Sequence, residues 1–174
     1  MGHGCGRLAP GSRSHGPSTN ACVAPQGQMI AIDTSLLIYA HRSLTAEHAR
    51  ARRVIERAAA DPRGWGFTLT NLLEFWSIVT HAQASGRPST TAEASSFVRV
   101  LVHSARAHIW SPSGGFAQRL TQLAAGLKVS GPRIFDLTIA LTAFENGASE
   151  IWTHDRRFVT VPGLRVRDPF TAGS

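Results

Sequence analysis

The chain has 174 residues, 43% of them hydrophobic, with 18 Lys plus Arg against 11 Asp plus Glu, a formal charge of +7 and a pI near 11.2. That length suits one domain with a full hydrophobic core, and no run of about 18 apolar residues exists to cross a membrane. Two cysteines, Cys5 and Cys22, exclude a disulfide framework and a four-ligand zinc site, while the basic excess favours a polyanionic partner.

Residues 1–28 stand apart. They hold six Gly, three Pro and three Ser, with no Phe, Trp, Tyr or acid. Such a segment buries too little apolar area to offset its ordering entropy, and it lacks the apolar stretch of a secretory signal. It reads as a disordered Gly/Pro/Ser-rich tail or a mis-assigned extension before Met29, with one folded domain over 29–174. Both cysteines lie in it.

Met29-Ile30-Ala31-Ile32-Asp33 reads as a buried parallel strand ending in an acid. A short helix follows over 34–40 and a longer one over 46–60, stopped by Asp61-Pro62 and Gly64. Residues 65–69 are the second strand. Thr70 is placed to cap a helix over 71–82, and Gly86-Arg87-Pro88 breaks the chain. Thr90-x-x-Glu93 is a capping box that opens a helix running to about Ala105. Residues 107–110 form the third strand, 114–128 and 134–146 two more helices, 150–153 the fourth strand and 164–166 a short last one. This alternation predicts an α/β fold, a three-layer α/β/α domain with a central, mostly parallel sheet of four to five strands. Sites in such folds form at the carboxyl ends of strands, where Asp33 and Asp155 fall. Trp65, Phe67, Trp76, Phe97, Trp110, Phe135 and Phe144 sit in apolar periodic segments and read as core or dimer packing.

Most acids have ordinary settings; Glu47, Glu56, Asp61, Glu93, Glu145 and Glu150 lie in polar or capping contexts. Asp33, Glu74, Asp136 and Asp155 instead lie among large apolar residues or at strand ends, where an unpaired carboxylate is costly. Singly, Asp33 can cap a helix, Asp136 can be a first-turn acid and Asp155 can cap a turn at 156–158. Together, parallel topology brings them to one edge of the sheet. Two carboxylates about 6 Å apart repel by about 3 kcal/mol at an effective dielectric near 20. A divalent cation resolves that repulsion, and hard oxygen ligands suit Mg²⁺ or Mn²⁺ better than zinc.

Five blocks carry a family resemblance. Met29-Ile30-Ala31-Ile32-Asp33-Thr34-Ser35-Leu36-Leu37-Ile38-Tyr39-Ala40 resembles the opening of PIN-domain proteins of the VapC toxin type. Asn71-Leu72-Leu73-Glu74-Phe75, Gly131-Pro132-Arg133-Ile134-Phe135-Asp136 and Trp152-Thr153-His154-Asp155-Arg156-Arg157-Phe158 are similar to later blocks of that family, as is the ending Pro162 to Pro169. The resemblance implies a metal-dependent endoribonuclease, the toxin of a type II toxin–antitoxin pair, with Asp33, Glu74, Asp136 and Asp155 as its acidic site. It further implies Mg²⁺ or Mn²⁺ on Asp33, Asp136 and Asp155, with Glu74 as a further ligand or a water-orienting group. Thr34 or Ser35 and Thr153 occupy its supporting polar positions. A VapB-type antitoxin, an RNA substrate, a homodimer and a cytoplasmic location go with the family. One departure is Arg157, where many relatives carry a further acid.

Arg156 and Arg157 beside the site are candidate phosphate contacts, with Ser35 and Thr153 also assigned to substrate. Arg50, Arg53 and Arg57 fall on one helical stripe, either an RNA or partner surface or a solvated face. His154 reads as turned away from the site. Two other functions compete. A phosphatase using Asp33 as nucleophile would place a second Asp where Ser35 stands and a Lys after a later strand, whereas the only Lys is Lys128. A catalytically silent RNA- or antitoxin-binding module would bind without cleaving.

Overall fold

The computed structural model describes residues 28–83 and 87–171. The expectations for the tail, both cysteines included, and for Gly86 lie outside the described residues.

Alternation along the first strand sets the layering. In β1 (Met29–Ile32), Ile30 and Ile32 turn to one face of the sheet and Ala31 to the other. The first face is covered by α1 (Thr34–His41), α2 (His48–Ala60), α3 (Leu69–Thr80) and α4 (Thr91–Arg99), through Leu36, Leu37, Val54, Phe75, Val79 and Ala94. The second is covered by α5 (Phe116–Gly126) and α6 (Arg133–Glu145), through Leu137, Ile139, Ala140 and flanking apolar residues of α5. A sheet buried on both faces needs continuously apolar strands, and MIAI and the buried β2 (Trp65–Thr68) meet that need.

The remaining strands are β3 (His108–Trp110), β4 (Ala148–Trp152) and β5 (Arg165–Arg167). All five are parallel, in the order β3-β2-β1-β4-β5. The chain builds outward from β1 through β2 to β3, then crosses back to β4 and β5. The switch point therefore lies between the carboxyl ends of β1 and β4, where the backbone N–H of Asp33 donates to the Trp152 carbonyl at 3.0 Å. The three-layer parallel architecture is the expected one.

Local details differ from expectation. The cap of α3 is Thr68, not Thr70. The Thr68 hydroxyl accepts the Asn71 N–H at 3.2 Å while Asn71 Oδ1 accepts the Thr68 N–H at 2.8 Å. Asn takes the reciprocal position that Glu or Gln usually fills, so the helix starts two residues early and ends at Thr80. The helix after Thr90 holds α geometry only to Arg99. Residues Val100–Ser104 widen into a π-helical turn, in which the Ala105 N–H reaches the Val100 carbonyl five residues back. Glu150 is not in an ordinary polar setting. It is 6% exposed in β4, where it pairs with Arg63 at 3.0 Å and Arg165 at 3.5 Å and accepts the Trp152 indole N–H at 3.1 Å. Trp65, Phe67 and Trp110 are core residues as expected, whereas Trp76, Phe135 and Phe144 are exposed.

Gly66 marks the tightest approach in the sheet. A Cβ there would lie 2.5 Å from the His108 carbonyl oxygen and 2.9 Å from Trp110 Cζ2. Both belong to the hydrogen-bonded neighbour β3, so the strain cannot be relieved by moving one flexible side chain. Gly66→Ala is expected to cost about 2 kcal/mol and to lower Tm by about 4–8 °C, read by thermal denaturation.

Candidate active site

Asp33 stands at the switch point as the N-cap of α1. Its Oδ2 accepts the Ser35 hydroxyl at 2.8 Å, the Ser35 N–H at 3.4 Å and the Thr153 hydroxyl at 2.8 Å. Oδ1 carries none of these three bonds. The side chain is buried, and burial pushes its carboxyl above the usual range although the hydrogen bonds oppose that. Donation by neutral hydroxyls offsets only part of the cost of burying a charge.

Thr153 follows β4 and is itself buried. Its hydroxyl gives its one hydrogen to Asp33 and accepts the Asp155 N–H at 3.0 Å. One side chain thus links the turn that carries Asp155 to the acid that ends β1. Asp155 is exposed, and its Oδ1 accepts the Arg157 N–H at 2.8 Å, which closes a short turn around the carboxylate.

Glu74 projects from α3, one turn beyond the Thr68–Asn71 capping box. Its Oε2 accepts the Thr34 hydroxyl at 2.6 Å, and Thr34 Oγ1 accepts from the fully buried Asn71 amide at 2.9 Å. Burial raises the Glu74 pKa, and the negative charges of Asp33 and Asp136 raise it further. Asp136, in the first turn of α6, is half-buried. Its pKa is raised by burial first, then by Asp33 and Asp155, against a backbone hydrogen bond from Val159 and the charge of Arg133.

The fold thus brings Asp33, Glu74 and Asp136 within electrostatic reach of one another, and Asp155 within reach of Asp136. None of the four forms an ion pair among the described residues. Nor, among the described residues, do three acid, imidazole or thiol side chains already make a coordination shell. Ser35 and Thr153 turn their hydroxyls toward Asp33 rather than into open space. Arg156 and Arg157 are exposed beside Asp155. His154 turns away, its Nδ1 3.0 Å from Asp168. Asn71 has no role in the sequence reading; its place three residues after Thr68, at the start of the helix that carries Glu74, is the signal that could have found it.

The PIN domain family model matches residues 30–164. A VapC ribonuclease of Mycobacterium bovis is 31% identical over 141 residues, covering 81% of this chain and 95% of that protein. Ribonuclease VapC48 of Mycobacterium tuberculosis is 26% identical over 80% of this chain and 96% of that protein. Among solved structures, VapBC2 of Rickettsia felis bound to a promoter DNA fragment matches with a TM-score of 0.59 at 17% identity, over 80% of this chain and 98% of that one. Mycobacterium tuberculosis VapC20, a Sarcin-Ricin loop cleaving toxin, matches with a TM-score of 0.57 at 15% identity, over 74% and 92%. At those identities the structures speak for the fold, while the family model and the mycobacterial relatives speak for kinship. The chain belongs to the PIN-domain family and is of its VapC ribonuclease type.

Proposed function

We propose that the chain is a metal-dependent endoribonuclease, the toxin of a VapBC-type pair, with Asp33, Glu74, Asp136 and Asp155 as its catalytic acids. The observation that carries the reading is a buried Asp33 carboxylate at the switch point, within electrostatic reach of Glu74 and Asp136, with none of the three in an ion pair among the described residues. All the donors at hand are oxygens, which suits Mg²⁺ or Mn²⁺. Asp33, Asp136 and Asp155 are the residues that would hold the ion. A bound cation of this kind polarises a phosphoryl oxygen and lowers the pKa of bound water.

The chain's own groups do the rest. Ser35 and Thr153 hold the Asp33 carboxylate in one orientation, and so serve substrate through it. Thr34 occupies Oε2 of Glu74 and leaves Oε1 to orient a water or take its proton. Arg156 and Arg157, at the mouth, meet the phosphates on either side of the bond that water splits. A VapB-type antitoxin and an RNA substrate are the partners this reading requires. A homodimer is favoured by the apolar face of α3, where Leu73 is 62% exposed beside Leu69 and Trp76. The reading places the protein in the cytoplasm; no helix among the described residues is long and apolar enough to cross a membrane.

Labelled RNA is expected to be cleaved with Mg²⁺ or Mn²⁺ and left intact in EDTA. Asp33→Asn or Asp136→Asn should lower the rate by more than about 100-fold in a protein that stays folded. RNA binding with no cleavage under either metal would instead make the chain a silent binding module. A second test needs no turnover. The folded-state pKa values of Asp33, Glu74 and Asp136 are all raised, so in the metal-free protein these three groups take up protons more readily than in the unfolded chain, while Asp61, Glu93 and Glu145, held low by their hydrogen-bond partners, act in the opposite direction. The part of the stability that Asp33, Glu74 and Asp136 govern should therefore increase as pH falls from neutrality through those raised values toward the ordinary 3.8 and 4.5, and the difference between wild type and variant isolates it. Asp33→Asn should raise the metal-free Tm at neutral pH and flatten this slope. Mg²⁺ should raise the Tm of the wild type and not of the variant, as followed by calorimetry.

A further inference from the structure

The α2 stripe of Arg50, Arg53 and Arg57 is left unused by the catalytic reading. Among the described residues, none of the three meets a carboxylate, whereas Arg52, Arg63, Arg87, Arg119 and Arg165 each do. Two of the three are nevertheless held in place. Arg50 donates to the Phe170 carbonyl and its guanidinium lies 4.7 Å from the Phe170 ring centroid. Arg57 donates to the Pro169 carbonyl at 3.5 Å and lies 5.5 Å from the Trp152 ring, which Arg167 of β5 also approaches at 5.5 Å. The stripe and the Pro169–Phe170 segment line an open groove of about 480 Å³, whose one acid, Glu56, is turned to Arg52 at 3.8 Å.

This groove lies against the segment that carries Asp155. The Phe170 ring packs on His154 at 4.7 Å, and His154 immediately precedes Asp155. The Thr153 N–H donates to the Arg167 carbonyl at 2.9 Å, which ties the strand that presents Arg167 to the residue that holds Asp33.

A guanidinium braced by a ring or a carbonyl, with no anion before it, is an anion receptor whose ordering cost was met during folding. Its fork matches phosphate. Arg50 to Arg57 spans about 10 Å along the helix axis, enough to run beside more than one phosphate of a single RNA strand. The rings behind the arginines are buried, Phe170 at 8% and Trp152 at 4% exposure, so they offer no face for a base to stack on. The groove is therefore built to read charge, not sequence.

We infer that Arg50, Arg53, Arg57 and Arg167 form a phosphate-backbone track that grips the RNA strand beyond the bond being cut. This rests on the ribonuclease reading for the substrate, and the test separates the two. Binding of a long mixed-sequence RNA to the full chain is followed by fluorescence anisotropy in EDTA at several salt concentrations. Cleavage of the same RNA and of a tetranucleotide is measured with Mg²⁺. Replacing Arg50, Arg53 and Arg57 together by Gln should weaken long-RNA binding about tenfold or more, equally for different sequences. The slope of log K against log salt should become shallower by about 2, at roughly 0.7 for each phosphate that is no longer neutralised. Tetranucleotide cleavage should stay unchanged, and Lys at all three positions should restore the slope. Because Arg50 and Arg57 also brace the carboxyl-terminal segment, Arg53→Gln, which breaks no hydrogen bond among the described residues, is the variant that spares the fold. It should shift the slope by about 0.7. An unchanged slope in these variants, with the RNA still cleaved by wild type, overturns the track and leaves the nuclease standing. Weakened binding of a glutamate-rich peptide with RNA binding intact also overturns it, in favour of an acidic protein partner. A shallower slope in the variants, beside a wild type that cleaves neither substrate, supports the track while the nuclease reading falls.

Discussion

Burying the Asp33 carboxylate between β1 and β4 costs free energy that three hydrogen bonds only partly offset. The rest of the cleft is arranged around that cost. Thr153 commits its only hydroxyl hydrogen to Asp33, and the turn carrying Asp155 is then fastened to the same hydroxyl oxygen. Glu74 and Asp136 approach from α3 and α6 and make the local charge worse rather than better. A domain selected for stability alone would put an amide or an arginine there. Keeping the repulsion is sensible only if something cationic arrives later, which is why the functional reading follows from an electrostatic defect and not from a pocket shape.

Glu150 gives the contrast within the same sheet. It too is a buried carboxylate on β4, yet it meets Arg63, Arg165 and the Trp152 indole. These contacts tie the turn before β2 to β4 and β5, and Arg63 is further held by Asp61 at 2.9 Å. Two acids of comparable burial thus have opposite surroundings. One is compensated by arginines of the chain itself, and the other meets only neutral hydroxyl and backbone donors among the described residues. The difference lies in partners, which come together only after folding.

That contrast also explains what is legible before folding. The strand–helix alternation and the apolar runs of β1 and β2 are enough for a parallel three-layer sheet, because a strand covered on both faces has a distinctive composition. The family resemblance rests on five short blocks, four of which hold the candidate acids that the topology carries to one edge. Glu150 looks ordinary in sequence because its two arginine partners lie 87 and 15 positions away. The cap of α3 differs by two residues because Thr68 and Thr70 are equally good capping residues, and only the answering amide of Asn71 decides between them. Trp76, Phe135 and Phe144 read in one dimension as core or dimer packing, and helix phase turns them outward, which excludes the core. The groove on α2 is half visible as a stripe of arginines; its other wall comes from residues 169 and 170, far along the chain.

The buried amide of Asn71 has one more effect. Its oxygen is taken by both the N–H and the hydroxyl of Thr68, at 2.8 Å each, so only its NH₂ can face Thr34. Thr34 must then point its own hydrogen at Glu74, and the chain of hydrogen bonds runs in a single direction from the helix cap to the cleft. A proton that Glu74 captures cannot settle on the oxygen facing Thr34 without reversing a hydroxyl whose other neighbour only donates. It goes to the opposite oxygen, so a helix start remote from the chemistry decides on which side of the carboxyl group a proton can be exchanged.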